Sequence, residues 1–192
     1  MHMEFVPTPS QTAGPYLHIG LTNKHSITRI AEATIPGERV LLKCRVLDAD
    51  GKPLNDAMIE IWQADHEGKY NHPDDPRAAG SDTGFRGFGR AATDEGGACE
   101  FETIRPGCVP GPEGKQQAPH LNLAVFARGI LLQLQTRIYF DGDAANGNDP
   151  VLALVPPDRR ETLMARRDPA NPNSWLFDIR LRGDRETVFF DV

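Results

Sequence analysis

Apolar residues in this chain recur at every second position in a series of short runs. Val40, Leu42, Cys44 and Val46 share one parity, and so do Cys99, Phe101 and Thr103. Leu121, Leu123, Val125 and Ala127 do the same in the run that follows His120. Successive side chains of a strand point to opposite faces, so each set predicts a strand with one face in a core. Residues 57–63, 130–140 (Ile130, Leu132, Leu134, Ile138 and Phe140 in phase) and 177–182 add further strands, and 187–192 closes the chain apolar. Turn-forming stretches, at 48–53 and 93–97 among others, separate them. Short alternating strands between turns predict an all-β fold, an antiparallel β-sandwich. One short helix is expected at 158–165, with Asp158 as its N-cap after Pro157.

Three stretches fall outside this alternation. Residues 1–24 read as an irregular N-terminal arm, because Pro, Gly and small hydroxyl residues between 8 and 16 are too dense for a regular helix. Tyr16, Leu17, Ile19 and Leu21 are costly to leave in water, so the arm is expected to be tied down. Residues 25–36, with Ile27, Ile30, Ala31 and Ala33, fit a weak helical turn or a loop. The stretch 71–90 has no periodicity, and a loop of that length in a compact domain commonly serves function or an interface. The organisation is an arm, 1–24, and one sandwich domain, 25–192.

A chain of 192 residues is long enough for a substantial core. Its formal net charge of -6, with no basic stripe, argues against a nucleic-acid partner. The three cysteines form no CxxC pair, so neither a disulfide framework nor a thiolate zinc site is expected. No window is apolar enough to span a bilayer, and the first residues carry no signal-type apolar core. A cytosolic protein without membrane contact is expected.

His120 and Asn122 share the outward parity of their strand, just beyond a Pro/Gly-rich loop. A strand-borne His-x-His metal site would sit there, but an amide offers no imidazole nitrogen, so only half of such a site is present. His66 and His72, with Asp65, Asp74 and Asp75 nearby, read as solvated loop charge. Cys108 reads as a small packing residue, Trp62 and Trp175 as core or interface anchors. Arg128, taken alone, reads as a surface arginine.

The segments 59–65 (IEIWQAD), 68–70 (GKY), 103–107 (TIRPG), 118–120 (APH) and 137–140 (RIYF) together resemble the intradiol ring-cleaving dioxygenases. The resemblance runs over nearly the whole chain, from about residue 8 to 192. It implies, for the family's catalytic chains, ferric iron held by two tyrosinates and two histidines. Phenolate oxygens suit such a hard ion, whose charge lowers the phenol pKa from about 10. Carried over, the first tyrosine falls on Tyr70 and the first histidine on His120. The second tyrosine falls on Val109, the second histidine on Asn122, and the catalytic chains' arginine on Gln117.

The resemblance therefore implies no metal site and no catalytic residue in this chain, with Fe³⁺ in an iron-bearing beta subunit. It implies a hetero-oligomer of alpha–beta pairs. In that pairing Thr12, Gly14, Pro15 and Arg128 would reach the mouth of the partner's site and bind its small aromatic substrate, Arg128 attracting a carboxylate. The reaction implied is O₂-dependent cleavage of 3,4-dihydroxybenzoate to 3-carboxy-cis,cis-muconate. Two alternatives stay open: a stand-alone β-sandwich binding module, and a dioxygenase in its own right using Tyr70, His120 and two further ligands. The arm and Arg128 favour pairing over the first, and Val109 and Asn122 argue against the second.

Overall fold

A computed structural model describes residues 6–77 and 84–191. The first five arm residues, the middle of the 71–90 loop and Val192 lie outside the described residues. The strands are β1 (Arg39–Leu47), β2 (Met58–Gln63), β3 (Phe88–Ala92), β4 (Ala98–Ile104), the short pair β5 (Val109–Pro110) and β6 (Gln116–Gln117), β7 (His120–Phe126), β8 (Leu134–Phe140), β9 (Met164–Asp168) and β10 (Asn171–Arg180). Eight of them form one sheet in the order β3-β2-β7-β8-β9-β10-β1-β4.

The alternating positions explain how that sheet folds over itself. Val40, Leu42, Cys44 and Val46 of β1 are all buried, as are Leu121, Leu123 and Val125 of β7 and Ala127 just beyond it. Leu42, Phe101 and Phe177 from one half of the sheet join Ile59, Leu123 and Ile138 from the other in a single apolar cluster. The sandwich expected from the alternation is therefore present, but it is mixed rather than wholly antiparallel. β1 runs parallel to β10, and β8 to β9. Both pairs are joined through long connections, which leave strand direction free.

The helices also differ from expectation. Residues 158–165 hold a 3-10 turn, Arg160–Leu163, that passes directly into β9, where Ala165 pairs with Phe140. Instead an α-helix, α1 (Pro15–Leu21), lies in the arm. Pro15 sits in its first turn, where a missing N–H costs nothing and the fixed φ is already helical.

β3 and β4 end the sheet and would expose unpaired edges. Residues 27–31 cover both. The Ile27 and Arg90 backbones exchange hydrogen bonds of 2.7 and 2.9 Å on β3. On β4, Ile30 N donates to Glu102 O (2.9 Å) and Glu102 N to Thr28 O (2.8 Å). The segment 25–36 thus contains an extended seam, because two strand edges offer it more hydrogen bonds than a turn could. Ile30 is wholly buried, and a methyl added at Gly89 would stand 2.8 Å from its Cδ1.

The arm is tied at two points: Gly129 N donates to Thr12 Oγ1 (2.7 Å), and His18 Nε2 bonds the Asp56 carbonyl (3.1 Å). Tyr16 and Ile19 still stand 84% and 60% exposed. Leu131 and Leu132 are exposed as well, because the strand after β7 starts at Leu134 and not at Ile130. Cys44 and Cys99 are buried, whereas Cys108, expected to pack, is exposed.

Ile30→Ala removes the plug of the seam and should cost about 2–5 kcal/mol. Ile19→Ala, on the exposed face of α1, should stay within about 0.5 kcal/mol. Urea denaturation of both variants checks this, and equal losses would show that the seam does not close the sheet.

Candidate functional site

Two groups of residues gather the chemistry, one on the outer face of β7 and one between the arm and the turn after β7. On the outer face, Trp62 of β2, Asn122 of β7 and Arg137 of β8 lie in one cross-strand row, and His120 faces Tyr139 in the next. Tyr70 stacks on Trp62, with ring centroids 6.0 Å apart and planes within 4°. Three contacts bring it there. Asp65 Oδ1 accepts from Glu67 N and Lys69 N, both at 2.9 Å, closing the turn. Gly68, at φ 77°, presses so close to the Cys108 carbonyl that a Cβ would lie 1.9 Å away. Asp75 Oδ2 accepts from Tyr70 N at 2.9 Å. The Asp75 side chain is only 8% exposed, and the hydrogen bond from Arg77, then that from Tyr70 N, hold its carboxyl far below the usual range. Asp75 is therefore a clamp on Tyr70 and not the solvated charge expected.

His120 lies on the outward parity yet is 3% exposed. A second apolar cluster of Ala118, Tyr139, Leu152, Val155 and Leu163 covers that face. The Nδ1 of His120 bonds the Ala118 carbonyl at 2.7 Å, so Nδ1 carries the hydrogen and Nε2 a lone pair. Among the described residues, that Nε2 is buried without a partner. Burial, and next the charge of Arg137, hold the His120 pKa down to about 4. Burial pushes the Tyr139 phenol up to about 12, and its hydroxyl donates to Asp149 (3.1 Å). Burial also raises the Tyr70 pKa, partly countered by Arg137 and the adjacent Asn122 side chain. Arg137 Nη1 donates to Gln117 Oε1 at 2.7 Å and lies 3.5 Å from the Tyr139 hydroxyl. Val109 is buried in β5 and lines, with Trp62, Tyr70 and Arg77, a cavity of about 820 Å³.

In the second group the arm residues singled out from the sequence come together. Gly14 is the N-cap of α1 and Pro15 its first residue. With Ala13, His18, Asp56 and Arg128 they line a small cavity of about 230 Å³. Thr12 holds the backbone next to Arg128 through Gly129. The Arg128 guanidinium is mostly exposed and pairs through Nε with Asp56 Oδ2 (2.9 Å). Asp56 and His18 were not apparent as site residues, since both look like ordinary loop polarity until the arm is seen to fold back.

Residues 12–183 match a family profile described as Dioxygenase. The chain belongs to the intradiol ring-cleaving dioxygenase family. It is 44% identical to the protocatechuate 3,4-dioxygenase alpha chain of Pseudomonas putida, over the full length of both. It is 43% identical to the alpha chain of Burkholderia cepacia, covering 96% of this chain and 97% of that one. Against the beta chain of the same enzyme from Burkholderia cepacia the identity is 36%, over 77% of this chain and 66% of the relative. Among solved structures, the dioxygenase domain of a carbohydrate-binding fusion from Streptomyces sp. SirexAA-E superposes with a TM-score of 0.63 at 28% identity, covering 93% of this chain and 99% of that one.

The residues present do not fit the family's ferric ion. At the four positions that the resemblance assigns to the ligands, Tyr70 and His120 carry donor groups, Val109 an alkyl group and Asn122 an amide. Arg137 stands opposite Asn122 in the strand register. Among the described residues no group of three or more His, Cys, Asp or Glu could hold a metal ion.

The buried neutral His120 makes stability pH-dependent. Its folded pKa of about 4 lies below the reference value of 6.5. The unfolded chain therefore binds the extra proton between those values, so stability is full above pH 6.5 and falls as pH drops towards 4. The contribution is at most about 3 kcal/mol. Asp75, with its depressed carboxyl, acts only below its own unfolded value of 3.8. His120→Gln should flatten the slope between pH 4.5 and 7 in urea denaturation, and an unchanged slope would assign it to other groups.

Proposed function

We propose that this chain is the alpha-type, iron-free subunit of a protocatechuate 3,4-dioxygenase, an obligate partner of an iron-bearing beta subunit in a cytoplasmic hetero-oligomer of alpha–beta pairs. The assembly would insert both atoms of O₂ between the hydroxylated carbons of 3,4-dihydroxybenzoate, giving 3-carboxy-cis,cis-muconate, with the Fe³⁺ chemistry supplied by the partner. The observation that carries this reading is the joining of Gly14, Pro15 and Arg128 around one cavity, with Thr12 pinned beside them. Full-length similarity to named alpha chains supports it.

In this reading residues 1–24 pack on the partner, and the sandwich, residues 25–192, carries them there. Tyr16 and Ile19 on α1 and Leu131 and Leu132 after β7 are exposed in the chain alone and supply apolar surface for the partner to cover. Gly14 and Pro15 form a narrow, rigid wall that a flat ring can approach closely. Asp56 pairs with the Nε of Arg128, whose side chain is 79% exposed and so can offer its two Nη groups to a neighbour as a fork. That fork suits a carboxylate, which it can meet with two parallel hydrogen bonds.

Arg128→Ala in the assembled enzyme should raise the KM for 3,4-dihydroxybenzoate and leave plain catechol nearly unaffected. A partly desolvated, charged hydrogen bond contributes about 1.5–3 kcal/mol, or some 10- to 150-fold. Steady-state kinetics on both substrates, with iron measured in parallel, tests the assignment, and equal losses on the two would make Arg128 structural. A second measurement concerns the metal. The chain purified without its partner should carry no stoichiometric iron and no visible tyrosinate-to-iron band. A band that disappears in Tyr70→Phe would overturn the iron-free reading.

A further inference from the structure

A long, exposed arginine side chain has many rotamers, and each one that misses a carboxylate weakens the hold on it. The Arg128 side chain is 79% exposed, yet its Nε lies 2.9 Å from Asp56 Oδ2. The strand register explains the meeting. Met58 of β2 pairs with Phe126 of β7, and the same antiparallel run, continued two places, brings position 56 towards position 128. Asp56 is held firmly from behind, because it occupies the turn before β2. There the Thr93 hydroxyl donates to Leu54 O (2.7 Å) and Ala57 N donates to Thr93 Oγ1 (3.1 Å). Ala57 itself is wholly buried. From the arm, His18 Nε2 bonds the Asp56 carbonyl (3.1 Å), and Thr12 Oγ1 accepts from Gly129 N (2.7 Å). These two ties flank Gly14 and Pro15 in the sequence and grip the backbone of Asp56 and that next to Arg128. The wall, the carboxylate and the guanidinium therefore belong to one frame around one cavity.

We infer that Asp56 is a positioning residue, which fixes the direction of the Arg128 guanidinium relative to the Gly14–Pro15 wall and so sets the preference for a ring that bears a carboxylate. An Asp56 oxygen on Nε takes the side of the guanidinium, and the end that carries the two Nη groups is the edge a ligand carboxylate meets. An ion pair this exposed adds little to the stability of the fold, so its effect lies in holding the guanidinium. In the proposed assembly the partner covers this end of the chain, and the loss of water strengthens the pair. Charge and direction oppose one another here, since Asp56 also repels an incoming anion. At the surface water and salt screen that repulsion, whereas the freedom of an untethered arginine is lost afresh at every binding event. Direction therefore outweighs charge.

This inference rests on the reading of Arg128 as the group that receives the substrate carboxylate, and the experiment separates the two. The full chain is co-expressed with its beta-type partner, and iron per pair is measured in each assembled variant. The readout is the KM for 3,4-dihydroxybenzoate divided by that for plain catechol. Asp56→Ala should raise this ratio about 2- to 12-fold, the loss expected when one long side chain is no longer held in place. Asp56→Asn, whose amide oxygen still accepts from Nε, should raise it less. Added to Arg128→Ala, Asp56→Ala should have no further effect, because the two residues act as one unit. Asp56→Ser takes the place of the alanine variant should that one fail to assemble. An unchanged or lowered ratio in Asp56→Ala, with Arg128→Ala still raising it, would refute the positioning role and leave the carboxylate reading standing. Independent, additive rises in the double variant would show that Asp56 acts without Arg128 and overturn the inference. No rise in Arg128→Ala would overturn the inference and the carboxylate reading together.

Discussion

One buried carboxylate fixes the end of the sheet where His120 and Tyr139 lie. Asp149 is 1% exposed and accepts four hydrogen bonds, from Ala118 N (2.7 Å), the Tyr139 hydroxyl (3.1 Å), Val151 N (2.9 Å) and Leu152 N (2.7 Å). A buried carboxylate is tolerated only when its oxygens are so occupied, and each donor left unpaired would cost free energy in turn. Through Ala118 it sets the start of β7, and the Ala118 carbonyl in turn orients His120. Through Tyr139 it sets the neighbouring position on β8. The 3-10 turn Leu152–Leu154 then lays Leu152 and Val155 over the same face, and Leu163, from the turn before β9, joins them. Position 120 is buried for this reason, although its parity points away from the core.

The same sandwich accounts for two different uses of one surface. The outer face of β7 carries His120 and Asn122, with Tyr70 and the alkyl side chain of Val109 beside it, a set that offers a ferric ion few donors. At the far end of β7 the chain turns at Arg128, and the arm folds back on that turn through Thr12 and His18. The chain keeps the family's architecture, and its two groups of polar residues sit at opposite ends of one strand.

Where a residue's role depends on alternation within its own strand, the sequence was enough to place it. The buried faces of β1, β4 and β7 are legible from their parity alone, and so was the all-β class. The seam at 27–31 was not, because nothing in Ile27, Ile30 and Ala31 announces that two strand edges will meet there. The helix at 15–21 was hidden behind the Pro and Gly that precede it, although Pro15 is itself a good first residue. Around the site, Tyr70, Val109, His120, Asn122 and the arm residues were singled out through resemblance. Arg137, Asp149 and Asp75 were not, since each acts through a register or a loop contact that only the folded chain defines. Asp75 in particular looked like solvated charge and proved to clamp Tyr70.

In the proposed assembly this chain supplies substrate contacts beside a neighbour's iron while holding none itself. The most direct measurement is a crystal structure of the complex with 3,4-dihydroxybenzoate, with anomalous difference density collected at the iron edge. The account predicts the Arg128 guanidinium within hydrogen-bond distance of the substrate carboxylate, Gly14 and Pro15 against the ring, and an iron peak in the partner alone. An iron peak between Tyr70 and His120, or an Arg128 turned to solvent away from the bound substrate, would contradict it.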